Sequence, residues 1–432
     1  MNIQMYIHPP FKIWKYLSKR SVKKDIDKLN DVVISIINNV KIYGDLSLKT
    51  YTKKYDNCHI KYFQVTKEEI IQASNKISNS LKEAIQIAYN NIKFFHKKQI
   101  HKESKIEISP GVICWRRSVP IEKIGLYIPG GIYPLFSTVL MLGIPSKLAG
   151  CKNIILCTPP NKNGDIHPAI LYTAQYVGIK KIYKVGGAQA IAAMAYGTES
   201  IPSVYKIFGP GNSYVTIAKK NVFKNGVVSI DIPAGPSEIV ILADDTANPK
   251  YVASDLLSQS EHDPESYILL VSINESWTKK VKNELKKQLI NISNRKEIIK
   301  KSLEKSKIII FSSLEEGVHF INKIAPEHLI INCNNAYYWS DKIKNSGSVF
   351  LGNYSPISIG DYASGTNHVL PTDGYAKYYS GISVDSFIKK ITFQKISKKG
   401  LRNLSKCVNV LSLEEGLIAH QKSINIRLIN EE

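Results

Sequence analysis

Apolar residues recur at three- and four-residue intervals through positions 26–43 and 67–98, the spacing of amphipathic helices. The whole of 22–105 carries few turn signals, so the first quarter of the chain is expected to be helical. From Lys123 onward the texture changes. Short apolar runs at 124–128, 154–157, 182–185, 227–230 and 239–242 alternate with helical stretches. A second series follows at 267–271, 308–311, 328–331 and 348–351. Strand–helix alternation of this kind predicts parallel sheets covered by helices, and two series predict two α/β units. Beyond Gly374 the pattern returns to a helical, Lys-rich texture that runs to Glu432.

At 432 residues the chain is too long for one small core, so two or more domains are expected. Its hydrophobic content of 44% and charged content of 22% are ordinary for a globular protein. The balance is basic, with 58 Lys+Arg against 36 Asp+Glu and a net charge of +22. The lysines are spread over the whole length and arginine is scarce, so the charge makes no nucleic-acid or membrane-binding stripe. No segment reads as a signal peptide or a membrane-spanning helix. The six cysteines show no C-x-x-C spacing, which fits a reduced, cytoplasmic protein with unpaired thiols. The dispersed lysines and the lack of a long apolar run lead to the expectation of no nucleic-acid and no membrane partner.

Glycine-rich turns fall where predicted strands end. Ile128-Pro129-Gly130-Gly131, Val185-Gly186-Gly187-Ala188-Gln189 and Phe208-Gly209-Pro210-Gly211-Asn212 each follow or join a strand. Pro233-Ala234-Gly235-Pro236-Ser237-Glu238 bridges two strands. Ligands of open α/β sheets bind beyond the carboxyl ends of the strands. Glycines there let backbone N–H groups approach an anion. Three such turns in one unit favour a bound phosphate or dinucleotide, although G-x-G-x-x-G is absent.

Four histidines stand among carboxylates, amides and small turn residues: His262, His328, His368 and His420. His59, His96 and His101 lie in Lys- and Asn-rich stretches that read as solvated surface. Asn248-Pro249 starts a helix, with Asn as N-cap and Pro in the first turn. Near its end Gln259 and His262 are i and i+3 neighbours, so an amide oxygen and an imidazole can face one divalent metal. Glu327 and His328 supply two proton-transfer groups of different intrinsic pKa at a strand start. The segment Gly360-Asp361-Tyr362-Ala363-Ser364-Gly365-Thr366-Asn367-His368 is polar, free of lysine and rich in turn residues, the make-up of an active-site loop. Glu415 and His420 lie on an amphipathic C-terminal segment that, taken alone, reads as a solvated helix face.

These motifs together resemble the histidinol dehydrogenase family. The resemblance runs from about Tyr127 to His420. It is carried by Gly125-Leu126-Tyr127-Ile128-Pro129-Gly130-Gly131, Pro134-Leu135-Phe136-Ser137-Thr138-Val139-Leu140-Met141, Gly186-Gly187-Ala188-Gln189-Ala190 and Gly209-Pro210-Gly211-Asn212. Ala234-Gly235-Pro236-Ser237-Glu238, Ser258-Gln259, Glu261-His262, Pro326-Glu327-His328-Leu329 and the loop 360–371 complete it. The resemblance implies two Rossmann-like, incomplete parallel-sheet domains with helical N- and C-terminal extensions, in an intertwined homodimer. Residues 1–25 would be the N-terminal extension. Residues 26–126 and 238–382 would form the first α/β domain, which bears the metal and catalytic residues. Residues 127–237 would form the second, NAD-binding domain, and 383–432 a helical dimerisation extension.

The implied reaction is the four-electron oxidation of L-histidinol to L-histidine by two NAD+, the last two steps of histidine biosynthesis. The resemblance implies one Zn2+ per subunit, held by Gln259, His262, Asp361 and His420, the last from the partner subunit. Tyr127, Gln189 and Asn212 match NAD-binding positions. Ser237, His328, Asp361, Glu415 and His420, with Gln259 and His262, match positions that touch histidinol. Glu327 and His328 match the catalytic pair, and His368 carries over only a supporting role. Asp263 departs from the family pattern, which more often has glycine after this histidine. The donor set admits manganese as well as zinc, and the same Glu, His and Asp set is compatible with a zinc-dependent hydrolase.

Overall fold

The first hundred residues are largely helical in the computed structural model, which describes residues 3–20, 26–101, 103–130, 133–233 and 235–429. Strand β1 (Gln4–Ile7) and helix α1 (Phe11–Leu17) precede α2 (Ile26–Asp56), α3 (Lys67–Asn75) and α4 (Asn79–Lys97). The run predicted at 67–98 is therefore two helices. Thr66 and Glu69 form a reciprocal capping box at the start of α3, and Ser78 caps α4 by accepting from the Leu81 N–H. Helix α2 is kinked at Gly44, whose φ of +49° suits glycine.

Strands β2 (Ile106–Ser109) and β3 (Val112–Pro120) follow, then the first α/β series. This comprises β4 (Lys123–Tyr127), α5 (Phe136–Leu148), β5 (Asn153–Thr158), α6 (Pro168–Val177) and β6 (Lys181–Lys184). It continues with α7 (Gly187–Tyr196), β7 (Lys206–Phe208), α8 (Ser213–Lys224) and β8 (Ser229–Ile230). The five strands are parallel in the order β6-β5-β4-β7-β8. The order reverses between β4 and β7, so the chain leaves the sheet on both sides of a crevice there. Gly209, at φ +128°, is required at that crevice, because a Cβ would overlap the Tyr127 carbonyl.

The sequence grouped 26–126 with the later α/β series. In the structure α2 packs on α7 and α8, α4 on α5, and α3 on α6, all helices of the five-stranded sheet. The apolar stripe Val33, Ile36, Ile37 and Val40 meets the Ala-rich α7, whose small side chains allow close approach.

The second series is β9 (Glu238–Ala243), α9 (Pro249–Ser260), β10 (Tyr267–Ser272), α10 (Glu275–Ile290), α11 (Lys296–Glu304) and β11 (Lys307–Ile310). It continues through α12 (Leu314–Ile324), β12 (His328–Asn332), α13 (Ala336–Ser340), β13 (Ser348–Leu351) and α14 (Ile357–Tyr362). Its sheet has the order β1-β11-β10-β9-β12-β13 and is parallel throughout. Ile239 and Ile241 face α9, α10 and α11, while Val240 and Leu242 face α1 and α12. Burial on both faces explains why these strands read as unbroken apolar runs. The N-terminal segment is part of this sheet and not a helical appendage: β1 pairs with β11, and Trp14 and Leu17 are buried in the core.

The chain divides into two units, Met1–Gln99 with Glu122–Ser386, and Ile100–Ile121 with Phe387–Glu432. The smaller unit contains β14 (Ile388–Ile396), α15 (Lys398–Glu414) and α16 (Ile418–Ile429). The C-terminal extension is thus not wholly helical. Strand β14 pairs antiparallel with β3 over nine residues and completes a β14-β3-β2 sheet. Trp115 and Phe393 stack across it at 5.4 Å, a cross-strand pair of the kind that stabilises two-faced sheets. Among the described residues no helix is long and apolar enough to cross a membrane.

Candidate active site

Strands β9 and β12 are neighbours, with His328 opposite Ile239, so Glu238 and Glu327 come together at their amino ends. This is the reversal point of the six-stranded sheet, but at the end of the strands opposite to the usual ligand crevice. Glu238, Glu327 and His328 are only 1%, 7% and 4% exposed. His328 Nδ1 lies 2.9 Å from the Glu238 carbonyl oxygen. A carbonyl only accepts, so Nδ1 carries the proton and the neutral ring keeps its lone pair on Nε2. That Nε2 is buried without a hydrogen-bond partner, 3.6 Å from Asp361 Oδ1.

Glu327 Oε2 accepts the Glu238 N–H at 2.8 Å and lies 3.5 Å from His328 Nδ1. Burial lowers the pKa of His328, but Glu327 and Asp361 outweigh it and hold the imidazole well above its ordinary value. Burial raises that of Glu327, with His328 opposing it. Both adjacent groups thereby hold a proton more tightly than they would in water, His328 through its carboxylate neighbours and Glu327 through burial.

Helix α9 starts as read from the sequence, Asn248 accepting from the Lys250 N–H at 3.0 Å. At its far end Gln259 is fully buried, its Nε2 3.5 Å from the Glu238 carbonyl and its Oε1 without a partner. His262 stands two residues past the end of the helix and not on it as expected, held by a turn from its N–H to the Gln259 carbonyl at 3.4 Å. It is exposed, yet desolvation still outweighs the attraction of Asp361 and lowers its pKa. Asp361 occupies the last turn of α14, so the polar segment 360–368 begins in a helix and becomes a loop only at Ala363. Burial raises the Asp361 pKa, but His328, His368 and His262 together bring it below its ordinary value.

His368 donates from Nδ1 to the Asp361 carbonyl at 2.7 Å and meets Thr138 Oγ1 at 3.3 Å through Nε2. With both nitrogens engaged, it supports Asp361 from behind. His96, read as surface, is fully buried beside Gln99 and Asn367. Its position in register with Ile85, Ala88 and Ile92 on the buried face of α4 was the available signal. Arg20 carries no local mark in the sequence, and Glu238 was named there only as the last residue of the 233–238 motif, with no role.

At the five-stranded sheet Tyr127 ends β4, buried, its hydroxyl accepting the Gly187 N–H at 3.0 Å and its pKa pushed up to about 12 by burial. Gln189 is 2% exposed on α7, and Asn212 is exposed while capping α8. Tyr127 and Asn212 therefore flank the β4–β7 crevice. Gly131 and Ala234 of the glycine-rich motifs lie outside the described residues. Ser237, half-buried, leads into β9 and accepts the Tyr267 N–H at 2.9 Å. Asp263 keeps a negative φ and accepts the Glu265 N–H at 2.7 Å, so the residue in the glycine position makes an unstrained turn. Glu415 and His420 belong to the smaller unit, as the C-cap of α15 and a residue of α16, and both are exposed.

Residues 19–428 match the family model described as histidinol dehydrogenase. The chain belongs to the histidinol dehydrogenase family. Membership places it among the NAD-dependent oxidoreductases of histidine biosynthesis. The histidinol dehydrogenase of Bacteroides thetaiotaomicron is 50% identical over 421 residues, 98% of each chain. That of Campylobacter jejuni is 46% identical over 430 residues, 99% of each. The crystal structure of histidinol dehydrogenase from Elizabethkingia anophelis superposes with a TM-score of 0.96 at 50% identity, covering 99% of this chain and 98% of that one. Among the described residues, no group of three or more His, Cys, Asp and Glu side chains comes together to hold a metal. Within one chain, the donors read for a metal at this site are an amide, an imidazole and a carboxylate.

Proposed function

We propose that the chain is a cytoplasmic, zinc-dependent histidinol dehydrogenase that oxidises L-histidinol through histidinaldehyde to L-histidine with two NAD+. The observation that carries the reading is the buried His328, tautomer fixed by the Glu238 carbonyl and Nε2 without a hydrogen bond, beside Asp361 and a Glu327 whose pKa is raised.

The donor set fits zinc. Gln259 Oε1 is a buried acceptor that no donor satisfies, a state that costs about 1–3 kcal/mol unless an electrophile completes it. Gln259, His262 and Asp361 would hold the ion together with His420 from a second copy, giving the mixed N/O shell zinc accepts. Bound there, zinc supplies orientation by fixing the substrate's nitrogen donors, and NAD+ supplies the hydride acceptor. Tyr127, Gln189 and Asn212 would line the NAD+ site. Ser237, His328, Asp361, Glu415 and His420, with Gln259 and His262, would contact histidinol.

His328 Nε2 takes the alcohol proton in the first oxidation, and the neighbouring carboxylates stabilise the imidazolium so formed. Glu327 then draws a proton from water as it adds to the aldehyde, and His328 returns its proton to the former carbonyl oxygen. Glu327 loses its proton to solvent, and the regenerated neutral His328 accepts a hydrate proton in the second oxidation. Burial of the pair keeps bulk water from the reactive aldehyde. Exposed Val410, Leu411, Leu413, Leu417 and Ile418 on and between α15 and α16 support a homodimer built through the smaller unit.

The test is NADH formation by the purified protein from L-histidinol and NAD+. Turnover that disappears on chelation and returns with Zn2+ is expected. Retained zinc and an intact fold without NAD-dependent turnover would overturn the reading.

A further inference from the structure

We infer that Glu238 is the positioning residue of the Glu327–His328 pair and that Arg20 acts on the reaction through it. The inference rests on the dehydrogenase reading of that pair. Each polar group of Glu238 is engaged with the site or with its support. Its N–H donates to Glu327 Oε2 at 2.8 Å, and its carbonyl accepts from His328 Nδ1 at 2.9 Å and faces Gln259 Nε2 at 3.5 Å. Its carboxylate accepts the Glu327 N–H at 3.3 Å and the Asp373 N–H at 2.8 Å. One residue thus touches the proposed water-activating carboxylate Glu327, the proposed base His328 and the amide that would bind the metal.

What holds Glu238 is Arg20. Its Nε and Nη2 grip the two carboxylate oxygens at 2.7 and 2.8 Å. Nη2 also donates to the Ile324 carbonyl at 3.1 Å, and the guanidinium sits over the Tyr267 ring at 5.4 Å. Ile324 closes α12, two residues before the Pro326-Glu327 entrance to β12, and the connecting Ala325 is left-handed at φ +55°. Arg20 therefore clamps the start of β9 to the turn that delivers Glu327. Strand pairing alone fixes the spacing of two amino ends. Catalytic side chains need placement to a fraction of an ångström, which a rigid planar fork with two parallel bonds supplies and a flexible ammonium does not.

Arg20 contacts none of the residues proposed to hold zinc, NAD+ or histidinol, which separates positioning from binding. The experiment compares zinc-loaded wild type, Arg20→Lys and Arg20→Met, with kcat and KM measured for histidinol and for histidinaldehyde. Misplacement of the pair predicts kcat down about ten- to a hundred-fold in Arg20→Met, KM for histidinol within about two-fold, and an intermediate loss in Arg20→Lys. A folded Arg20→Met with wild-type kcat would overturn the inference, as would a loss that merely tracks the fraction of folded, zinc-loaded protein. Should Arg20→Met fail to fold, Arg20→Lys decides: reduced kcat at unchanged KM supports positioning, and wild-type kcat refutes it. A wild type that yields no NADH brings down the dehydrogenase reading itself, and the inference with it.

Discussion

The proposed mechanism divides the work of proton transfer between Glu327 and His328, and the division is open to test. Glu327→Gln keeps the shape and the bond from the Glu238 N–H but removes the base that activates water. It should slow aldehyde oxidation more than alcohol oxidation, seen by following each half-reaction separately; equal slowing of the two contradicts the division. His328→Asn should lower both half-reactions, by about 10²–10⁴-fold if general acid–base catalysis is what it contributes. The two ionisable groups side by side at a predicted strand start were visible in sequence, but only the family resemblance singled them out from a surface pair. The His328 tautomer was not visible, since that depends on the Glu238 carbonyl, 90 residues away. Arg20 was invisible for the same reason: its meaning lies in a partner 218 residues on.

Helix α9 shows how an element sets a site. Its N-cap and its proline in the first turn were read from local chemistry, and strands with continuous apolar runs were equally plain. Its end was not, since His262 was read as part of the helix and lies beyond it. What escaped were β1 and the three strands of the smaller unit's sheet, while β7 was marked only by the glycine turn that follows it. Strand β7 is three residues long, and β14 is studded with lysine and exposed along most of its length, so neither leaves a periodic signal. Asn248→Ala removes the α9 cap and should destabilise the fold by about 1 kcal/mol, read from the urea midpoint; an unchanged midpoint denies the cap its role.

Asp255 lies on the same helix, 9% exposed, with burial pushing its carboxyl up to about 7. In the unfolded chain it ionises near about 3.9. The native state therefore keeps the extra proton between those values, and stability falls as pH rises through that window. Asp255→Asn is expected to raise Tm at pH 8 more than at pH 5. An equal shift at both values would rule out ionisation as the cause.

Across the whole chain, the two α/β series and their order were foreseeable, whereas the affiliation of α2–α4 was not. Amphipathic helices announce that they bury a face but not against which sheet; the small side chains of α7 decide it. Likewise His420 carries no local mark of a ligand, and its proposed role depends on a second copy of the chain. Co-expression of His328→Asn with His420→Asn subunits tests this. Mixed dimers would contain one intact site if His420 serves the partner, so activity up to half that of wild type should reappear. If His420 serves its own chain, every site stays broken and none returns.

The central claim is that one buried pair carries out two successive oxidations without releasing the aldehyde. The most direct measurement is the NADH formed per L-histidinol when histidinol is limiting and NAD+ is in excess. Two NADH per histidinol, with histidine as product, is the predicted result. One NADH with free histidinaldehyde would contradict the claim.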